Sequence, residues 1–169
     1  MTENPGKFRE ASSILESRGI RIRQLRRSKL EIQHEKLEKI ATYALETALI
    51  RHPGPMIVED SGLFVETLRG FPGPYSSHAL QTIGLDGILH LLGDSTRRKA
   101  HFRSAVAFGS DKVRPRTFTG IVNGTISRKT LGSNGFGFDP IFIPDGSTLS
   151  FGQADSSFKN SHSHRAKAF

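Results

Sequence analysis

Apolar residues fall on one helical face in three stretches of the chain and alternate with polar ones in several others. Phe8, Ala11, Ser12 and Leu15 share a face after Asn4-Pro5-Gly6 and before Gly19, so residues 6–18 are predicted to form a short amphipathic helix capped by Asn4 or a neighbour. Leu37, Ile40, Ala41, Ala44, Leu45, Ala48 and Leu49 form the clearest 3.6-residue stripe and stop before Pro53-Gly54-Pro55, which predicts a helix of about 16 residues. Leu80, Ile83, Ile88, Leu91 and Leu92 predict a helix over residues 78–92, ending at Gly93.

Strand patterns lie between and after these helices. Met56-Ile57-Val58 and Leu63-Phe64-Val65 are apolar runs on either side of Glu59-Asp60-Ser61-Gly62, predicting two strands around a polar bend. Residues 102–108 and 117–122 alternate as sheet strands do. Asn123-Gly124 is a hairpin turn pair, across which Ile126 is expected to pair back, and Ile141-Phe142-Ile143 reads as a further strand bounded by prolines. The tally predicts an α/β domain with an antiparallel or mixed sheet.

Composition narrows the class. At 169 residues the chain has the length of one domain, with no internal repeat. It has no cysteine, which excludes disulfide scaffolds, thiolate metal sites and cysteine nucleophiles, and fits a reducing compartment such as the cytoplasm. No apolar run approaches the roughly 18 residues needed to span a bilayer, and Met1 to Lys7 lacks a signal-peptide core. The net charge of +8 and pI near 10.2 favour polyanions, nucleotides or nucleic acid. Arg18, Arg21, Arg23, Arg26, Arg27 and Lys29 form a basic run that reads either as a phosphate-backbone contact or as a solvated strand and loop, and it carries no aromatic residue for stacking on bases. Arg97, Arg98 and Lys99 read as a charged connection.

Familiar motifs fail. Gly135-Phe136-Gly137 is followed by Pro140 rather than by a helix, so a dinucleotide fingerprint is unsupported, and there is no Walker A string. His34-Glu35 is followed by Glu38 where a zinc-protease helix needs His. His162 and His164 would suit a metal but are two histidines alone.

Four polar islands remain at the ends of apolar elements. Thr2-Glu3-Asn4-Pro5-Gly6-Lys7 opens a helix and offers donors and a point charge for phosphate oxygens, or is an ordinary cap and turn. Glu31 and Asp60, if folding joins them, supply the oxygen ligands that Mg²⁺ takes while keeping waters and phosphates, and a carboxylate can deprotonate water. Taken singly, Asp60 is a turn acid and Glu31 a surface residue. The loop Gly135 to Pro140, with Lys159 and Ser163-His164-Arg165, combines close backbone approach, an aromatic face and groups able to read a purine edge. It reads equally as a loop whose phenylalanines plug the core.

In this order the strings TENPGK, LEIQHEKLEKI, VEDSGLFVETLRGFPGPYSS, GFGFDPIFIPDGSTLSF and KNSHSHRAKAF resemble the family of non-canonical purine nucleoside triphosphate pyrophosphatases, also called inosine triphosphate pyrophosphatases, over residues 2–169. The resemblance implies Mg²⁺-dependent cleavage of ITP, dITP or XTP between the α and β phosphates, giving the monophosphate and pyrophosphate. It implies a long mixed sheet with flanking helices, two lobes around a nucleotide cleft, and a homodimer. Carried across by position, Thr2, Asn4 and Lys7 would hold phosphates, and Glu31 and Asp60 would hold Mg²⁺. Asp60 would also be the base for water, with Ser61 touching substrate beside it. Phe136, Gly137, Phe138 and Asp139 would line the nucleoside pocket, completed by Lys159, His164 and Arg165.

The family usually opens with an apolar strand ahead of its Thr-Asn loop and continues past the SHR string with a helix. Here Met1 alone precedes Thr2 and the chain stops at Phe169, so the first strand and last helix are expected to be missing. The stretch before Lys159 is also less acidic than usual. An inactive nucleotide-binding remnant, or a basic nucleic-acid-binding domain, are the alternatives.

Overall fold

The elements run α1 (Pro5–Glu16), α2 (Leu37–Arg51), β1 (Met56–Val65), β2 (Pro72–Gly73), α3 (Ser76–Thr82), α4 (Gly84–Leu92), β3 (Lys99–Gly109), β4 (Arg116–Ile126), β5 (Phe142–Pro144), α5 (Ser156–His162) and α6 (His164–Ala168), in a computed structural model that describes residues 1–169. The strand order is β2-β1-β3-β4-β5. Helices flank the sheet as expected. The sheet, which the tally predicted as antiparallel or mixed and the resemblance as mixed, is antiparallel at all four pairings.

The two apolar runs around Glu59 to Gly62 are one strand, not two flanking a bend. β1 pairs with β3 from Met56 opposite Gly109 to Val65 opposite Ala100, so the ladder bonds of the polar stretch are made like the rest. Alternation puts Glu59, Ser61, Leu63 and Val65 on one face of the sheet and Val58, Asp60 and Phe64 on the other. Each face carries a core. Leu63 and Val65 pack with Phe102, Val122, Ile88 and Phe142 on one side. On the other, Val58 packs with Ala105, Ala107 and the buried stripe Leu37, Ala41, Ala44 and Leu45 of α2. The polar residues stand where these cores end, and their side chains find charged partners instead of apolar ones.

Two further expectations are corrected. The helix over residues 78–92 is two helices, because Gly84 at the start of α4 takes φ +66°, which an L side chain rarely adopts. Asn123-Gly124 is not a turn. Neither residue has positive φ, and β4 continues to Ile126 with Gly124 between Ala100 of β3 and Pro144 of β5. A Cβ on Gly124 would lie 2.8 Å from the Phe142 ring, so the glycine serves close strand approach. The hairpin reversal lies earlier, between β3 and β4.

Arg98 lies in the charged connection between α4 and β3 and has a structural role there. It is buried and donates to the carbonyls of Gly93 (3.0 Å), Ile126 (2.9 Å) and Ser127 (2.8 Å), tying the end of α4 to the end of β4. At the chain start, the Met1 amino group donates to the Ile57 carbonyl and the Thr2 N–H to the Leu25 carbonyl. The string Ser163-His164-Arg165 itself opens α6, whose first turn is capped by Ser163 Oγ accepting from the Ala166 N–H at 3.2 Å. No helix is long and apolar enough to cross a membrane.

Candidate active site

The first island is a helix cap and turn. Asn4 Oδ1 accepts from the N–H groups of Gly6 (2.8 Å) and Lys7 (3.0 Å), Thr2 Oγ1 accepts from the Asn4 N–H (3.1 Å), and Pro5 occupies the first helical position. This ordering aims Lys7 at the sheet, where its Nζ lies 3.0 Å from Glu59 Oε2.

A cavity of about 350 Å³ opens here, at the edge of β1 that β2 leaves unpaired beyond Leu63 and Phe64. Thr2, Asn4, Lys7, Glu31, Asp60, Ser61, Phe136, Gly137, Phe138, Asp139, His164 and Arg165 all line it. Of the residues that the resemblance assigned to the site, only Lys159 lies outside, buried behind the wall. A larger cavity of about 770 Å³ lies between residues 20–25 and the α2–β1 connection, but neither Glu31, Asp60 nor the loop at 136–139 reaches it. Volume favours the second cavity and chemistry the first; the carboxylate pair and the aromatic loop decide for the smaller one.

Asp60 and Glu31 meet through a lysine. Lys29 Nζ lies 2.5 Å from Glu31 Oε1 and 3.4 Å from Asp60 Oδ1, and donates to the Glu59 carbonyl at 3.1 Å. Burial raises the Asp60 carboxyl above the usual aspartate range, an effect that Lys29 and Lys7 only partly offset. Asp60 Oδ2 is buried with no hydrogen-bond partner. Two carboxylates, one with a free buried oxygen, match the donor set Mg²⁺ takes when substrate phosphates and water complete its shell. Glu59 adds nothing to this set because its side chain leaves from the opposite face of β1, and no group of three metal-binding side chains forms. His162 and His164 do not converge: His162 stacks on Phe158 and His164 on Phe102.

On the Glu59 face runs a buried ion network. Glu59 meets Arg165 Nη2 at 3.1 Å and accepts from Ser104 Oγ at 2.9 Å. Arg165 also donates to Ser61 Oγ (2.9 Å) and Glu10 Oε2 (3.1 Å). Glu10 then accepts from Ser163 Oγ (2.6 Å) and pairs with Lys159 (3.2 Å), which in turn binds Asp139 Oδ2 at 2.6 Å. Burial would raise the Glu59 carboxyl, but the charges of Arg165 and Lys7 outweigh it and hold it below the usual range. His164 is driven well below the ordinary imidazole value by burial and then by Arg165, so it stays neutral.

Asp139 organises the aromatic loop, since its Oδ2 also accepts from the Phe136 N–H at 2.7 Å. Burial raises its carboxyl against the opposing charge of Lys159. The Phe136 ring has Lys159 Nζ 4.2 Å and Arg165 Cζ 5.2 Å from its centroid, so cations cover part of the aromatic surface. Phe138 lines the cavity while belonging to the apolar core.

The sequence reading gives Glu10, Glu59 and Lys29 no role in the site, although Glu59 stands in a polar island and Lys29 in the basic run. Glu10 carries a legible clue, a charge one turn ahead of the buried Ile14 within the apolar face of α1. Glu59 follows from strand alternation once the bend is dismissed, because it shares a face with Leu63 and Val65. Lys29 has no clue at all, being one cation among six in an irregular segment.

Residues 1–169 match the model of the Ham1 family. The chain is 47% identical over 168 residues to a dITP/XTP pyrophosphatase of Hyperthermus butylicus, covering 99% of this chain and 87% of the relative. It is 46% identical over 168 residues to a dITP/XTP pyrophosphatase of Thermococcus kodakarensis, covering 99% and 90%. Among solved structures, a HAM1 protein from Coxiella burnetii superposes with TM-score 0.83 at 27% identity, covering 98% of this chain and 90% of that one. The Ham1 protein of Staphylococcus aureus gives 0.81 at 26% identity, covering 99% and 92%.

Proposed function

The chain belongs to the Ham1 family, and from that premise we propose that it is a nucleoside-triphosphate pyrophosphatase that removes deaminated purine nucleotides, with dITP, XTP and ITP as substrates. The observation that carries this reading is the convergence of Glu31, Asp60, Lys7 and the loop around Phe136 on one cavity. The residues lining that cavity come from both ends of the chain, from Thr2 to Arg165, so residues 1–169 act as one catalytic unit in this reading.

The chemistry asked of the site is attack of water at a phosphorus of the α–β anhydride, releasing a nucleoside monophosphate and pyrophosphate. Asp60 takes the proton from that water at a carboxylate oxygen, a role favoured by its raised basicity and by the buried, unpartnered Oδ2. Lys7 stands at the cavity wall to meet phosphate oxygens, and the ordered cap of Thr2 and Asn4 holds it there. Mg²⁺, held by Glu31 and Asp60, would neutralise phosphate charge and polarise the anhydride.

Base choice rests on the opposite wall. Hypoxanthine and xanthine carry a carbonyl at C6 where adenine carries an amino group. Arg165 Nε is a buried donor without a partner on a residue of this wall, suited to donate to that carbonyl and left unpaired by adenine. The family resemblance supports a homodimer as the working assembly.

Pyrophosphate release from dITP, XTP, ITP, GTP and ATP, with and without Mg²⁺, tests the reading. Release from the first three, dependent on Mg²⁺ and far exceeding that from ATP, is expected. No release from any of them, with nucleotide still bound, would identify an inactive remnant and overturn it.

A further inference from the structure

Lys29 belongs by sequence to a run of cations, yet its side chain is only 15% exposed and lies against the acids of β1. An ammonium has three donors, and those of Lys29 face three oxygens: Glu31 Oε1, Asp60 Oδ1 and the Glu59 carbonyl. Two of these belong to the carboxylates assigned above to the divalent cation. A bound ammonium and a metal ion need the same anionic oxygens, and the two cations repel each other when both are close. The lysine stem, with four rotatable bonds and a place on the cavity wall, can carry its charge elsewhere.

We propose that Lys29 is a resident counter-ion of the Glu31–Asp60 pair, so that a divalent cation binds the nucleotide-free protein only by displacing its ammonium. A triphosphate entering the cavity offers the displaced ammonium other anionic oxygens and so eases the exchange. Lys29 is then a positioning residue for metal loading, and the inference rests on the assignment of Glu31 and Asp60 made under the proposed function.

The test is a Mn²⁺ titration of nucleotide-free protein, read by loss of the free-ion electron spin resonance signal. Lys29→Met and, as a second neutral variant, Lys29→Gln should bind Mn²⁺ at least about tenfold more tightly than wild type, because a competing charge a few ångströms away has been removed. Lys29→Arg should remain as weak as wild type. Adding Glu31→Gln to Lys29→Met should abolish the gain. Unchanged or weaker affinity in both neutral variants, equal tightening in the arginine variant, or a gain that survives Glu31→Gln would each overturn the proposal. Because the titration uses no nucleotide, a wild-type protein silent toward dITP and XTP would defeat the substrate reading while leaving this result to stand or fall separately.

Discussion

Arg165 Nη1 lies 3.1 Å from Glu10 Oε2, an ion pair joining the last helix to the first with side chains 2% and 5% exposed. Arg165 is held on its other side by Glu59 and Ser61, so its guanidinium is anchored by protein acceptors at both terminal nitrogens. Glu10 is thereby the hinge post of the nucleoside wall: it touches Arg165, Lys159 and Ser163 at once.

Removing that carboxylate leaves two buried cations without their shared partner. Glu10→Ala is expected to lose about 3–5 kcal/mol of stability, the cost typical of breaking a buried pair from one side. Urea unfolding followed by circular dichroism measures it, and a loss below about 1 kcal/mol, the scale of an exposed pair, would show that the network is dispensable.

Gly6 sits where α1 meets the aromatic loop, and a Cβ there would lie 2.7 Å from Phe136 Cδ1. Gly6→Ala should push the Phe136 ring off its seat while keeping a residue that a helix accepts in its first turn. The expected outcome is a raised KM for dITP with kcat less affected and thermal stability nearly unchanged. Steady-state kinetics with a melting curve checks it; an unaltered KM would separate Phe136 from nucleotide binding.

Asp60→Asn keeps the shape of the side chain and removes the base. Pyrophosphate release should fall by about 10²-fold or more, the usual worth of a positioned general base. In the metal-free wild type, burial raises the Asp60 carboxyl, so a carboxyl that titrates above the ordinary aspartate value of about 3.9 should appear in a carbon NMR titration and vanish in Asp60→Asn. A titration at or below that value would remove raised basicity from the assignment.

His164 is neutral in the folded protein and protonates near its ordinary value of 6.5 once unfolded. Its depressed folded value means the unfolded chain binds the extra proton. Its contribution to stability is therefore complete above about pH 6.5 and declines as pH falls, by up to about 1.4 kcal/mol per pH unit. Unfolding free energies between pH 7 and pH 5 should fall more steeply for wild type than for His164→Gln, and parallel curves would mean that the imidazole is charged in the fold.

Much of the architecture is legible in local patterns. The stripe of α2, the alternation of β3 and β4 and the cap at Asn4 are set by neighbours three, four or two residues apart, because burial of one face imposes those periods. Where local chemistry was misleading, long-range pairing prevailed. Glu59 to Gly62 looks like a bend, but β3 supplies its ladder and Lys29, Lys7 and Arg165 supply its charges. Asn123-Gly124 looks like a turn, but two strands close on it from either side.

The sequence by itself determined the family strings, the stripes of α1 and α2, the alternation of β3 and β4, and the acids, cations and aromatic loop available for chemistry. Only the tertiary structure decided the partner of each charge: Glu10 for Arg165 across 155 residues, and Asp60 for Lys29 across 31. The physical reason is range. Periodicity records how a segment meets a core, whereas a buried ion pair depends on where two distant segments arrive together, and no spacing along the chain encodes that meeting.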